Sequence, residues 1–102
     1  MLRISVVSSS KQQVVLKLEG RFLNEDVGLL EREGEHWLQR SEEVVLDVEG
    51  VLFIDPAGIA LLKSWAQRGM ALCGGTLFVR ELLKSHGLEL GEMDSEGTSR
   101  GC

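Results

Sequence analysis

The chain has two cysteines, two histidines and one proline in 102 residues, and no long apolar run. Each scarcity removes a class of function. Cys73 sits in an apolar stretch and Cys102 is the last residue, so a bond between them ties down only a tail; the expectation is two reduced thiols in a reducing compartment. Cysteine and histidine do not recur at metal-site spacing, and no metal is expected. His36 falls within a helical pattern and His86 beside a helix stop, positions that suit surface or capping roles better than a catalytic base. No window approaches the ~18 apolar residues of a spanning helix, and the opening MLRISVVSSSKQQ lacks a signal-peptide core. These readings give a cytoplasmic protein with no direct membrane insertion. Positive charge is also short, 11 Lys and Arg against 16 Asp and Glu, for a net charge of −5. Such a surface has no general attraction to phosphate backbones, so nucleic acid is not an expected partner.

Catalytic groups are equally sparse. There is no Gly-x-x-x-x-Gly-Lys-Ser/Thr loop for a nucleotide. Asp47 and Asp55 lie eight residues apart, the first in a strand pattern and the second where that pattern turns helical, but no nucleophile, base or metal ligand accompanies them. The expectation is a protein that is not an enzyme and has no cofactor.

What is present is a folded-protein composition, 43% apolar and 26% charged, of a length that makes one domain. LRISVVS and QVVLKLEG alternate with period two around a turn-like SSKQ, which predicts an antiparallel hairpin. Leu23, Val27, Leu30, Trp37 and Leu38 form one stripe of a helix, with Asn24 as its cap and Glu25 and Asp26 at the positive end of the dipole. Gly28 and Gly34 each weaken that helix by roughly 1 kcal/mol relative to alanine. The β-branched EVVLDVEGVLFI reads as an interior strand. From Gly58 to Met70 the pattern is helical, Ile59, Leu62, Ala66 and Met70 opposing Lys63, Ser64 and Gln67, and CGG (Cys73–Gly75) stops it. TLFV (Thr76–Val79) reads as a short buried strand and RELLKSHG as a closing helix. The fold class is α/β: a small mixed sheet of about four strands with helices packed on it, in the order β-β-α-β-α-β-α. The domain spans 1–90, and the polar, aperiodic GEMDSEGTSRGC (91–102) has the composition of a disordered tail.

Residues 53–58, FIDPAG, form the most informative stretch. Asp55 can cap the following helix, and Pro56, the only proline, fits the first turn, where its missing N–H costs nothing. The free amides of that terminus could also receive an anion. Trp65 flanks the polar face of the helix, at the boundary between core and surface, and Trp37 is read as core.

The run VVLDVEGVLFIDPAGIALLKSWAQRGMALCGGTLFV, followed by LLKSHGL, resembles the STAS domain of sulfate transporters and bacterial anti-sigma factor antagonists. The earlier LKLEGRF resembles the strand before that family's first helix, and the resemblance covers about residues 12–88. It implies a protein-binding regulatory module. In the antagonists, a serine in the turn after the central strand is phosphorylated by a kinase that is also the anti-sigma factor, and this abolishes binding. Asp55 matches the family's aspartate and Gly58 its glycine, while Ala57 falls where the phosphoacceptor serine sits, so this chain lacks that hydroxyl. The implied partner-binding set is Asp55, Pro56, Ala57, Gly58, Lys63, Ser64, Trp65 and Gln67. The implied partner is an anti-sigma factor serine kinase or, alternatively, the ATPase subunit of a lipid-transport complex, on which other STAS-like proteins dock; a homodimer is compatible with either. TLFVRELLKSHGL runs together a strand and a helix that the family separates, which implies a truncated C-terminal layer with Leu88–Leu90 as an edge.

Overall fold

The structure, a computed structural model, describes residues 2–91. It contains β1 (Leu2–Ser9), β2 (Gln13–Phe22), a 3-10 turn (Asn24–Asp26), α1 (Val27–Leu38), β3 (Glu43–Ile54), α2 (Pro56–Gln67), β4 (Ala71–Cys73) and α3 (Leu77–Ser85). This is the β-β-α-β-α-β-α order that the sequence predicts. The four strands form one mixed sheet in the order β1-β2-β3-β4. β1 runs antiparallel to β2, whereas β2–β3 and β3–β4 are parallel.

The hairpin is closed by Ser10, whose hydroxyl accepts from the amides of Gln12 and Gln13 at 3.2 and 3.1 Å. Ser41 then donates to the Ser10 carbonyl at 2.7 Å and ties the turn to the start of β3. Alternation along β2 sends Val14, Leu16 and Leu18 into the core. Their register partners Val44 and Leu46 on β3, and Leu72 on β4, continue the same face. All three helices contribute to that core, through Leu30 of α1, Ile59, Leu62 and Trp65 of α2, and Val79 and Leu83 of α3. They pack on this face because each parallel connection must cross over the sheet, and successive crossovers in one direction stay on one side. Register places Lys17, Asp47 and Cys73 on the other face.

Several local expectations are corrected. Asn24 is not the cap of α1: it opens the 3-10 turn, and Asp26 is the N-cap residue, its carboxylate accepting instead from the Leu23 amide at 3.0 Å. α2 stops at Gln67 rather than Met70, closed by Gly69 at φ +94° with the Met70 amide bonded to the Trp65 carbonyl. CGG therefore does not end α2 but follows a strand, and that strand is ALC, not TLFV. TLFV begins α3: the Thr76 hydroxyl accepts from the Val79 amide at 3.2 Å as an N-cap, leaving Leu77 and Phe78 exposed and only Val79 buried. The apolar run has the same composition in either state, and the cap decides for helix. Beyond α3, among the described residues, the sheet gains only an isolated parallel bridge between Cys73 and Gly91, not an edge strand. Cys73, at the end of β4, is disulfide-bonded and not the expected reduced thiol. The tail expected at 91–102 lies outside the described residues except for Gly91.

Candidate protein-docking face

Asp55 follows the last residue of β3 and has extended backbone, which sets it up as the N-cap of α2. One carboxylate oxygen accepts from the Gly58 amide at 3.1 Å, the expected cap. The other accepts from the Asn24 amide at 2.7 Å, a contact between segments 31 residues apart that the sequence does not reveal. The Asp55 amide in turn donates to the Phe22 carbonyl at 3.0 Å. One residue thus starts α2 and fixes the 3-10 turn beside it, joining the ends of β2 and β3. Pro56 occupies the first helical position, as expected.

Gly58 is explained by packing. A Cβ there would lie 2.9 Å from Ile54 Cγ2 and 3.1 Å from the Phe22 ring, so only a glycine lets the first turn of α2 sit on the strand ends. Ala57 is half-buried, at the tip of the turn. Farther along, Pro56, Ala60, Lys63, Ser64 and Gln67 are all exposed. Their spacing of four, three, one and three places them on a single helix face. Lys63 makes no ion pair among the described residues. Ala60, which the sequence reading leaves out, completes this stripe, and Leu52 and Phe53 stand exposed immediately before the turn.

Trp65 is the correction within the predicted site. It is 1% exposed and packs against Gly34 of α1, whose hypothetical Cβ would fall 2.3 Å from Trp65 Cζ2. A ring held between helices cannot also meet a partner, so Trp65 positions α2 instead of contacting anything outside. The polar end of the same α1–α2 junction is an ion pair between Glu35 and Arg68. The hydrogen bond from Arg68 holds the Glu35 carboxyl below its usual range, and the same bond raises the Arg68 guanidinium.

The remaining candidates do not assemble. Asp47 is buried, its carboxylate accepting from the Glu49 amide at 2.8 Å. His36 takes a 3.4 Å hydrogen bond from Arg40 at the surface, and His86 caps α3 with Nδ1 3.1 Å from the Leu82 carbonyl. Among the described residues no group of three His, Cys, Asp or Glu is placed to hold a metal, and no helix is long and apolar enough to cross a membrane.

The family profile for the Mlab STAS domain matches residues 5–90. The chain belongs to the STAS domain family. The STAS fold is also what solved structures share with it. SpoIIAA, an anti-sigma factor antagonist in its unphosphorylated form, superposes with a TM-score of 0.77 at 15% identity, covering 92% of this chain and 90% of that one. An anti-sigma factor antagonist from Mycobacterium paratuberculosis gives 0.75 at 16% identity, over 89% and 86%. The phosphorylated form of the Bacillus SpoIIAA gives 0.70 at 14% identity, over 92% and 94%. No curated protein sequence matches. At these identities the structural likeness establishes the fold of this STAS domain.

Proposed function

We propose that this STAS domain is a non-catalytic docking module that presents the start and exposed face of α2 to a protein partner. The observation that carries this reading is the continuous exposed stripe of Pro56, Ala60, Lys63, Ser64 and Gln67 leading from the Asp55 turn. Two small or ring-locked residues lie at its upper end and three polar ones below. Small side chains let a partner's surface approach the helix closely, and the polar groups set register by hydrogen bonding, at the entropic cost of ordering Lys63 and Gln67. Asp55 and Gly58 hold the presentation rigid, and Trp65 does so from beneath. With Ala57 at the position of the antagonists' serine, docking is constitutive with respect to that phosphorylation.

The first partner class is an anti-sigma factor kinase, in keeping with the fold shared with the antagonists. A second reading, docking on the ATPase subunit of a lipid-transport complex, is favoured by the profile match, which is to the Mlab group. Affinity purification of the tagged chain from its native cell, with Ala60→Arg and Lys63→Glu run in parallel, tests the docking face and separates the partners. The expected result is one nucleotide-binding protein retained by wild type and reduced at least about tenfold by each variant, with melting temperatures unchanged, because both positions are exposed. Undiminished retention in both variants overturns the reading. In a kinase assay, wild type stays unlabelled at the turn and Ala57→Ser becomes a substrate if the partner is the kinase.

A further inference from the structure

The two edges of the sheet differ in how they end. At the β4 edge only three residues are strand, and the backbone beyond is already engaged. Gly91 donates to the Leu72 carbonyl at 2.8 Å and accepts from the Gly74 amide at 3.3 Å, while Arg80 reaches the Gly74 and Gly91 carbonyls at 2.9 and 3.2 Å. At the other edge, β1 is eight residues long and has no neighbour on its outer side among the described residues. Sheets protect such edges with prolines, charges, bulges or covering segments. β1 has no proline and a single charge, Arg3. Its one irregularity lies between Val6 and Ser8, so Leu2–Val6 forms a regular free edge of about 17 Å.

We propose that two copies of this chain pair through this edge, β1 antiparallel to β1, with Ile4 opposite Ile4 at the two-fold axis. The pattern of β1 is self-complementary in that register. Leu2, Ile4 and Val6 lie on the core face, opposite Gly20, Leu18 and Leu16 of β2. Pairing about Ile4 sets each Leu2 against the partner's Val6, which is 48% exposed in the isolated chain, and extends the apolar surface across the junction. On the other face Arg3 meets a serine, Ser5, and the two arginines stay at opposite ends, so no like charges face each other. About four to six main-chain hydrogen bonds form.

Closure follows from the asymmetry of the edges. Because the β4 edge is engaged, the only free edge among the described strands that β1 can pair with is another copy's β1, and an isologous contact stops at two copies. The two-fold axis stands perpendicular to the joined sheets, so both sets of helices lie on the same side. A contact this narrow buries less than a standard interface, which makes the dimer concentration-dependent.

Sedimentation velocity of the full chain over a wide concentration range, paired with hydrogen exchange, tests the proposal. The expected result is a mass rising from 11.3 kDa toward twice that value, with amide exchange in Leu2–Val6 slowing at least about fivefold in the same range while the β4 edge is unchanged. Val6→Lys, at an already exposed position, shifts the dimerisation midpoint upward at least about tenfold without changing the circular dichroism spectrum. A monomer at every concentration overturns the proposal, as does a dimer whose Leu2–Val6 amides exchange at the monomer rate. The exchange measurement on wild type decides the matter even if the lysine variant folds poorly.

Discussion

Replacing Gly34 by alanine sets two physical effects against each other at one position. Helix propensity favours alanine by about 0.5–1 kcal/mol, because glycine loses more backbone freedom on folding. Packing opposes it. The added Cβ would lie 2.3 Å from Trp65 Cζ2 and 2.6 Å from Cη2, well inside the ~3.5–4.0 Å at which carbon atoms attract. The ring is buried between helices and cannot swing away, so α1 and α2 must separate or Trp65 must leave its rotamer. Overpacking of this kind costs about 1–3 kcal/mol, and an overlap exceeding an ångström belongs at the upper end. The net expectation is a loss of about 1–2 kcal/mol, and for a domain of this size each kilocalorie shifts the melting temperature by roughly 4–8 °C. Gly28, in the same helix, is the control: a Cβ there meets nothing within 4 Å, so Gly28→Ala gains up to about 0.5–1 kcal/mol. Thermal and urea unfolding of both variants give the measurement. If Gly34→Ala melts at or above wild type, the close α1–α2 contact, and with it the role of Trp65 as the positioner of α2, is refuted.

Asp55→Ala removes both the α2 cap and the acceptor for Asn24, and is expected to cost about 1–2 kcal/mol by urea unfolding; Asp55→Asn keeps one acceptor and recovers part of the loss. Thr76→Ala should destabilise by about 1 kcal/mol and Thr76→Ser by much less, since only a hydroxyl cap on α3 distinguishes them; equal losses would mean that the segment is not capped as described. The Glu35 carboxyl is held below its ordinary range by Arg68, so the pair's small contribution is fully present above the ordinary carboxylate range and is lost as pH falls through the depressed pKa. An acid titration of stability should therefore be flatter at its acidic end in Arg68→Ala than in wild type.

The hairpin, β3 and the start of α2 were legible because their signals are local: period-two alternation, a β-branched run, and an aspartate before a proline. β4 was not, since three residues carry no period and ALC adjoins a helix of similar composition. TLFV misled for the complementary reason, an apolar run whose state is decided by a threonine cap and not by hydrophobicity. Asp55 lies at the turn and Pro56, Lys63, Ser64 and Gln67 on the exposed face of α2, positions that the helical phase of the sequence already indicates. The burial of Trp65 was not legible, because it depends on a glycine 31 positions away on another helix, and the Asp55–Asn24 bond is hidden by the same kind of separation. Ala60 was recoverable, as it falls in phase with Pro56 and Ser64, but an alanine attracts no notice when polar residues are sought.

The Asp55–Pro56 corner has a consequence for anions. A helix start binds phosphate by offering several unclaimed backbone amides. Here the first position is a proline without an N–H, the Gly58 amide is bonded to the Asp55 carboxylate, and the Ile59 amide is bonded to the Asp55 carbonyl. Of the first four helical positions only Ala57 keeps an uncommitted donor among the described residues, and the nearest full charge is itself negative. The corner repels what an open helix terminus would attract. A hydroxyl introduced at position 57 would carry any phosphate in a site that does little to hold it, so under the proposed docking role the effect of that phosphate would come from repelling the partner, with the fold around it unchanged.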